Sequence, residues 1–343
     1  MDGLVAALAS ALLFALAVPA SKVLLADATP LQLAGLLYLG GALGIAPRAL
    51  HGRTRRPRLD APTRRRLAGA VVLGGVAGPA LLLFALRSTP AGSVALLLNL
   101  EIVATALLGA LVFGETLGAR GWCGVVVAAA AGIVLSAGSG WPGYLSAVLV
   151  AAACLCWGID NNLTAGIGGM SPSETTLWKT GLAGTTNLVL GIMLAPWRLQ
   201  AGTVVTALGV GALSYGASIA LAIRAAQAEG AIRTQSVFAS APFIAALLSW
   251  IGLHEPVQGV QLVAGALFLT AIVLLAVDDH AHAHVHEAVA HVHSHRHDDG
   301  HHAHAHPGLL ATARHTHWHE HAATEHTHRH VADLHHRHGS RQR

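Results

Sequence analysis

The sequence predicts an all-α integral membrane protein, with about ten transmembrane helices arranged as two inverted five-helix repeats, and a disordered tail. Hydrophobic residues make up 53% of the 343 residues, whereas charged residues make up only 11%. Up to Val277, apolar runs of about 17–23 residues alternate with short breaks that contain Gly, Pro or charge, and such runs match a hydrocarbon core of about 30 Å. Lipid offers the backbone no hydrogen-bond partner, so these runs must form helices or a closed barrel. The Ala, Leu, Val and Gly content favours packed helices.

Ten apolar spans follow one another along the chain. We predict them at residues 4–25, 31–47, 67–86, 93–113, 121–138, 143–165, 176–195, 203–223, 232–252 and 259–277. The first span imitates a secretion signal, but residue 2 is Asp, where a signal carries positive charge. Because further spans follow without a soluble domain, we expect an uncleaved helix. Glycines spaced four residues apart, such as Gly40 and Gly44, predict close contacts between helices.

A cluster of arginines after the second span fixes the orientation of the protein. The cluster consists of Arg48, Arg53, Arg55, Arg56, Arg58, Arg64, Arg65 and Arg66. Loops rich in Lys and Arg stay in the cytoplasm, so both termini are predicted to be cytoplasmic in a multi-pass protein of the bacterial inner membrane. A basic cluster between two spans indicates topology, and we expect no nucleic-acid partner.

An internal repeat with an offset of about 140 residues divides the apolar part of the chain. The segment 104–108, followed by Glu115, recurs as the segment 244–248, followed by Glu255. Five spans per copy is an odd number, so the second copy runs inverted in the membrane, as in many secondary transporters. We therefore predict three parts: a first five-helix repeat at 1–138, a second at 139–277, and a disordered, cytoplasmic, His-rich tail at 278–343.

The two copies carry a family resemblance. The stretches "LLLNLEIVATALLGALVFGETL" and "SVFASAPFIAALLSWIGLHEPV" resemble the two EamA-type repeats of the drug/metabolite transporter superfamily, and "CWGIDNNLTAGI" resembles the opening of a second repeat. The resemblance covers about residues 1–277 and implies a transporter fold without naming a substrate. Pro242 of the second copy is matched by Ile102 in the first. We therefore expect the helix break near Pro242 to be missing from the fourth span.

Polar residues inside the apolar spans are the candidates for transport and coupling: Glu101, Asn99, Asp160, Asn161 and Lys22. A charge within a span costs about 2.5–3.5 kcal/mol on insertion scales, so it usually faces a cavity or a partner. Glu101 is the leading candidate, because a desolvated carboxylate can bind and release a proton in the working range. The alternatives are a structural carboxylate at Glu101 and an interfacial polar girdle at Asp160.

Two lysines lie near the ends of spans. Lys22 could anchor an anionic substrate or pair with Glu101, or its ammonium could reach the lipid headgroups along its own stem. Lys179 is expected to reach the headgroups in the same way. Repetition of Glu115 and Glu255 at the ends of corresponding spans predicts a shared structural role, such as capping a helix.

The tail holds 22 of the 24 histidines. Imidazole binds Zn, Ni and Co well, so we predict metal ligands at His280, His282, His284, His286, His301, His302, His304 and His306. The tail could feed a metal-exporting pore, buffer metal while the pore moves organic solutes, or be a passive or pH-responsive extension. The spans contain no histidine except His254 at a loop, and their three cysteines form no CxxC pair.

These observations predict a secondary active transporter, a proton-coupled exporter of a small metabolite or drug, and not an enzyme. No Walker A or HExxH motif occurs, and no cofactor is required. The alternatives are a divalent Ni, Co or Zn exporter fed or regulated by the tail, and a membrane-tethered metal buffer or sensor. The expected partners are a small-molecule or ion substrate and the lipid bilayer, with a homodimer left open as the assembly.

Overall fold

A computed structural model describes residues 2–51, 60–112, 118–138, 140–165, 167, 170–229, 234 and 237–276, and four strands between residues 282 and 328. The helices are α1 (Gly3–Ala15 and Ala17–Leu24), α2 (Pro30–Leu50), α3 (Ala61–Ala70, Val71–Ala77 and Gly78–Ser88), α4 (Ala91–Leu97 and Leu100–Val112), α5 (Ala119–Ala137), α6 (Gly140–Ala165), α7 (Pro172–Leu194), α8 (Ala201–Gly211, Ala212–Ala217 and Ser218–Glu229), α9 (Ala241–Gly252) and α10 (Gly259–Ala276). Each matches one predicted span, which confirms the all-helical membrane class.

Length and apolarity let most of these helices cross a bilayer. Seven of them, α1–α6 and α8, are long and apolar enough, and α9 and α10 are shorter apolar helices. Helix α7 has 23 residues, a length of about 34 Å at 1.5 Å per residue.

Side chains that accept from backbone amides mark several helix starts. Thr29 caps α2, Asp60 caps α3, and Ser171 with Glu174 forms a reciprocal capping box on α7. Hydrogen bonds from Thr63, the side-chain bond first, lower the pKa of the Asp60 carboxyl below its ordinary value. The starts of α2, α3 and α7 are therefore fixed by the residue just before each helix.

Two helices of the first half are interrupted. Helix α1 breaks at Leu16, where Pro19 cannot donate a backbone hydrogen bond and its ring crowds the preceding turn. Helix α4 breaks at Leu98 and Asn99, so the prediction that this span lacks a break is wrong. The break needs no proline, because the Asn99 side chain donates to the Leu96 carbonyl oxygen at 2.8 Å and competes for that backbone acceptor.

The third helix of each half contains a π-helical segment. It spans Val71–Ala77 in α3 and Ala212–Ala217 in α8, at nearly the same offset as the sequence repeat. In a π segment the backbone bonds run from residue i to i+5, and such segments often occur at functional sites. The repeat therefore extends to an irregularity of the backbone.

Helix packing follows the same repeat. Helix α2 packs along α7, and α5 packs along α10. Helices α3 and α4 of the first half both pack against α6, and the corresponding helices α8 and α9 of the second half both pack against α1. Helix α4 also packs against its counterpart α9. Helices α1–α5 correspond to α6–α10 in order. If each helix is replaced by its counterpart, the same set of packed pairs results. The exact residue at which the halves divide stays a prediction.

Glycines let α2 approach α8 closely. A Cβ added at Gly40 or Gly44 would collide with the backbone carbonyl of Leu208 or Ala212. The predicted close packing at these glycines is therefore confirmed.

Four strands of the tail belong to a unit of their own within residues 279–332. Its strands are β1 (His282–His286), β2 (Val289–His295), β3 (His315–His321) and β4 (Thr324–His328). Strand β1 pairs antiparallel with β4, and β2 pairs antiparallel with β3. Isolated two-stranded pairs are marginal in water, which agrees with a tail that lacks a packed domain of its own.

Candidate functional site

A buried ion pair joins α6 to α7. The Lys179 Nζ lies 2.8 Å from Asp160 Oδ2, and Thr164 donates its hydroxyl to Asp160 Oδ1 at 3.0 Å. The Asp160 side chain is only 3% exposed. Both carboxylate oxygens therefore have donors, as a buried carboxylate requires.

Glu101 and Asn161 connect α4 to α6 beside this pair. Asn161 Nδ2 donates to Glu101 Oε1 at 3.2 Å. Glu101 is half-buried and Asn161 is exposed. Because Asn161 follows Asp160 directly in α6, the structure brings three of the predicted site residues together at one level of the bundle.

The π segment of α3 supplies backbone acceptors to its neighbours. Tyr38 OH and Trp157 Nε1 both donate to the Gly74 carbonyl oxygen, at 3.1 and 3.0 Å. Asn187 Nδ2 donates to the Gly75 carbonyl oxygen at 3.0 Å. The irregular backbone of α3 thus binds side chains from α2, α6 and α7.

Gly74 must be glycine in this arrangement. A Cβ at this position would collide with the Asp160 carboxylate. The absence of a side chain at Gly74 lets the charged end of Asp160 lie directly against α3.

Aromatic rings cluster on the side of α1, α2 and α8. The ring centroids of Phe14 lie 5.8 Å from Tyr215 and 5.0 Å from Phe238, and those of Tyr38 and Tyr215 lie 5.4 Å apart. Tyr38 joins these rings to the polar residues around the π segment of α3, because its hydroxyl donates to the Gly74 carbonyl while its ring packs against Tyr215. A polar cluster and an aromatic cluster are therefore continuous through one side chain.

Asn99 lies at the break of α4, two residues before Glu101. The side chain is buried, and within the described residues its Oδ1 atom has no hydrogen-bond partner. A buried unsatisfied acceptor is unfavourable unless a water or another polar group reaches it. Asn99 Oδ1 is thus available to a polar group that enters the bundle.

Lys22 contacts a different part of the molecule. Its Nζ donates to the carbonyl oxygens of Leu86 at 2.8 Å and Thr89 at 2.9 Å, at the end of α3. Glu101 instead accepts from Asn161, so the structure does not pair Lys22 with Glu101. A transport role for Lys22 stays a prediction.

Glu255 caps a helix, as the repeated glutamates predicted. Its two carboxylate oxygens accept from the amides of Ala91 and Gly92, the first residues of α4, at 2.7 and 2.9 Å. Glu115, its counterpart in the sequence repeat, lies outside the described residues.

Sequence reasoning missed the partners within the site. Lys179 was expected to reach headgroups, whereas its ammonium pairs with Asp160. One signal was available: Asp160 and Lys179 lie almost equally far before and after the turn at Met170 and Ser171, so they lie at the same depth in adjacent antiparallel helices. Tyr38 and Trp157 gave no comparable signal.

Three of the eight predicted metal ligands lie in the described part of the chain. His282, His284 and His286 lie in β1, and His280, His301, His302, His304 and His306 lie outside the described residues. Within the described residues no group of three or more His, Cys, Asp or Glu could hold a metal ion. Cys123, Cys154 and Cys156 are free thiols.

A multi-pass helical bundle with polar side chains held among its spans has the architecture of a membrane transporter. The EamA-like transporter family model matches residues 1–137 and again residues 144–277. The chain therefore belongs to the EamA-like transporter family, and it is a membrane transporter.

Two known proteins extend this result. An uncharacterized transporter of Methanothermobacter thermautotrophicus is 24% identical over 299 residues, which cover 80% of this chain and 85% of the archaeal protein. A crystal structure of a protein is 19% identical with a TM-score of 0.57, and the match covers 78% of this chain and 98% of that one. The crystal structure supports the fold alone.

Proposed function

We propose that this transporter exports a small organic metabolite or drug across the bacterial inner membrane in exchange for protons, with Glu101 as the coupling carboxylate. The observation that carries the proposal is the contrast between two neighbouring carboxylates. Asp160 has a lysine partner, whereas Glu101 accepts a hydrogen bond from the neutral amide of Asn161.

Charge compensation explains why Glu101 is the better proton carrier. Asp160 and Lys179 neutralise each other, so the pair adds no net charge to the membrane interior. An ionised Glu101 adds one negative charge that an amide cannot neutralise, and a proton can. Binding and release of that proton would therefore change the net charge of the site by one.

The surroundings of Glu101 favour an organic substrate. Asn99 offers a buried oxygen acceptor at the break of α4, and the aromatic cluster of Phe14, Tyr38, Tyr215 and Phe238 offers apolar surface. Binding sites for small molecules typically combine mostly apolar walls with a few polar groups. The faces of these rings offer none of the nitrogen or sulfur ligands that bind Ni, Co or Zn.

The test is proton-driven transport by purified full-length protein in liposomes, with a panel of small metabolites and drugs. Glu101→Gln should abolish substrate movement driven by a pH gradient while leaving expression and folding intact. Glu174→Gln is the matched control, because Glu174 caps its own helix and lies outside the site. Unchanged gradient-driven transport by Glu101→Gln would refute the coupling role.

The composition of the tail supports a second candidate, export of Ni, Co or Zn. Cellular content of these metals is measured under metal load for the full-length chain, a chain that ends at Val277, and Glu101→Gln. Metal lowered by the full-length chain and restored by Glu101→Gln makes metal the cargo. Metal held inside by the tail without export supports a membrane-tethered buffer or sensor.

The orientation and assembly belong to the proposal. Cytoplasmic termini follow from the arginine cluster between α2 and α3, and protease access to the tail from either face of sealed vesicles tests them. A homodimer is tested by the mass of the purified protein in detergent.

A further inference from the structure

The turn between α3 and α4, Ser88–Pro90, is held by two opposite charges from other parts of the chain. The Lys22 ammonium at the end of α1 binds the carbonyls of Leu86 and Thr89, at the end of α3. The Glu255 carboxylate binds the amides at the start of α4. We call Lys22, Glu255 and these backbone groups the α3–α4 clamp.

Each charge of the clamp matches the helix end that it binds. A cation is favourable at the C-terminal carbonyls of a helix, and an anion is favourable at the N-terminal amides. Glu255 uses both oxygens on two successive amides, a geometry that fixes its direction as well as its distance. His254, with a φ of 54°, lies just after α9 and directly precedes Glu255.

Neutral hydrogen bonds surround the same turn. Thr89 Oγ1 and Ser146 Oγ of α6 are 2.5 Å apart, and Gln261 Nε2 of α10 donates to Ser93 Oγ at 2.9 Å. Contacts from α6, from α10 and from the segment between α9 and α10 thus reach across the repeat boundary to α3 and α4. The clamp therefore joins the two halves of the transporter.

The clamp and the candidate site lie towards opposite ends of the bundle. Successive spans alternate in direction, so the ends of α1, α3 and α9 meet the starts of α4, α6 and α10 at one end. Asp160 lies late in α6 and Lys179 lies early in α7, which is the other end. The clamp therefore lies at the end of the bundle that is farther from the Asp160–Lys179 pair.

The clamp can open without leaving a buried charge unpaired. Lys22 and Glu255 are both half-buried and bind backbone groups at helix ends, so water that enters can replace their partners. By contrast, separating Asp160 from Lys179 would leave a carboxylate that is 3% exposed without its cation. The clamp is thus a contact between the halves that is suited to open and close during transport.

We propose that Glu255 is the gating residue of this transporter, and that release of its carboxylate from Ala91 and Gly92 opens the path to the site from the clamped end. The gate rests on the central pathway of the proposed function, but it requires neither a proton gradient nor a particular substrate. Glu255 acts by positioning α4 and does not need to touch the substrate.

Side-specific labelling of a buried position behind the clamp tests this gate. Val94 is fully buried, one turn into α4. Val94→Cys is made in the full-length chain with Cys123, Cys154 and Cys156 replaced by Ser, and sealed vesicles receive a membrane-impermeant thiol reagent at one face or the other. Glu255→Gln should raise the labelling rate from the clamped face about ten-fold. A ten-fold rise corresponds to a loss of about 1.4 kcal/mol from the free energy that favours the closed clamp over the open one.

A second variant removes the same contact from the other side. Ala91→Pro deletes the amide that binds Glu255 Oε1, at a first helical position where proline is favoured. Pro90 already has φ −54° and ψ 140°, the extended conformation that a following proline requires. This variant should raise labelling less than Glu255→Gln, because one of the two bonds remains.

Glu174→Gln is the control, since it removes a capping carboxylate within one helix at the opposite end of the bundle. It should leave labelling at residue 94 unchanged. Rates for Glu255→Gln and Ala91→Pro within two-fold of the parent would overturn the gate, as would an equal rise in Glu174→Gln. Loss of transport in Glu101→Gln with normal labelling would concern the coupling carboxylate only, so the two proposals fail separately.

Discussion

Breaking the Asp160–Lys179 pair should destabilise the protein asymmetrically. At 2.8 Å and an effective dielectric constant of about 20, the gross attraction between the two charges is about 6 kcal/mol. Desolvation offsets much of that attraction when the pair forms. Removing only the lysine, however, leaves a carboxylate that is 3% exposed. We therefore expect Lys179→Met to cost about 3–5 kcal/mol of unfolding free energy.

The reverse substitution should cost less. Lys179 is 19% exposed and lies near the start of α7, so its ammonium can reach water when Asp160 is replaced. Asp160→Asn also keeps an oxygen acceptor at nearly the same place. We expect it to cost about 1–2 kcal/mol, and the double variant to be less destabilised than Lys179→Met alone.

Unfolding in mixed micelles, followed by tryptophan fluorescence, measures all four proteins of this double-mutant cycle. The coupling energy should be at least about 2 kcal/mol, because the charges are in direct contact. Additive single effects would refute the reasoning, and so would an Asp160→Asn variant less stable than Lys179→Met.

Three further predictions use the same unfolding measurement. Gly44→Ala should lower the unfolding free energy by about 1–3 kcal/mol, because the added Cβ meets a backbone carbonyl of α8. Gly209→Ala, on the exposed face of α8, should raise the unfolding free energy by about 0.5–1 kcal/mol. Equal effects at the two glycines would contradict the packing. His254→Gly should stabilise by about 0.5–1 kcal/mol, because glycine adopts a φ of 54° without strain, and a loss of stability would show that the imidazole makes a contact that matters more. Tyr38→Phe and Trp157→Phe should each cost about 1 kcal/mol of unfolding free energy. The double variant should cost about 1 kcal/mol more than the sum of the two, since only the double variant leaves the Gly74 carbonyl without a side-chain donor. Strict additivity would argue against a shared acceptor.

The number and position of the helices could be predicted from the sequence, because span length and polarity are local properties of the chain. The break of α1 could be anticipated from Pro19. The break of α4 could not, because it results from one asparagine that binds its own backbone. The two π segments were also hidden, since one extra residue in a turn barely alters an apolar pattern made of Ala, Gly, Leu and Val.

The candidate site was predictable as a set of residues and not as a set of contacts. Glu101, Asp160 and Asn161 stood out because polar side chains are costly inside a span. Their partners depend on which helices are neighbours, and adjacency of α6 to both α4 and α7 is a property of the packing. Lys22 could not be assigned at all, because its partners are backbone carbonyls, which every residue carries.

The two halves contribute different residues to the candidate site. Glu101 belongs to the first half, whereas Asn161, Asp160 and Lys179 belong to the second. If two first halves associated with each other, α4 would pack against α1, whose corresponding stretch near Phe14 is apolar, and Glu101 would lose its amide. The two halves are thus not interchangeable at this site. Neither half could form this polar site in a symmetric assembly of its own without acquiring the polar residues that the other half supplies.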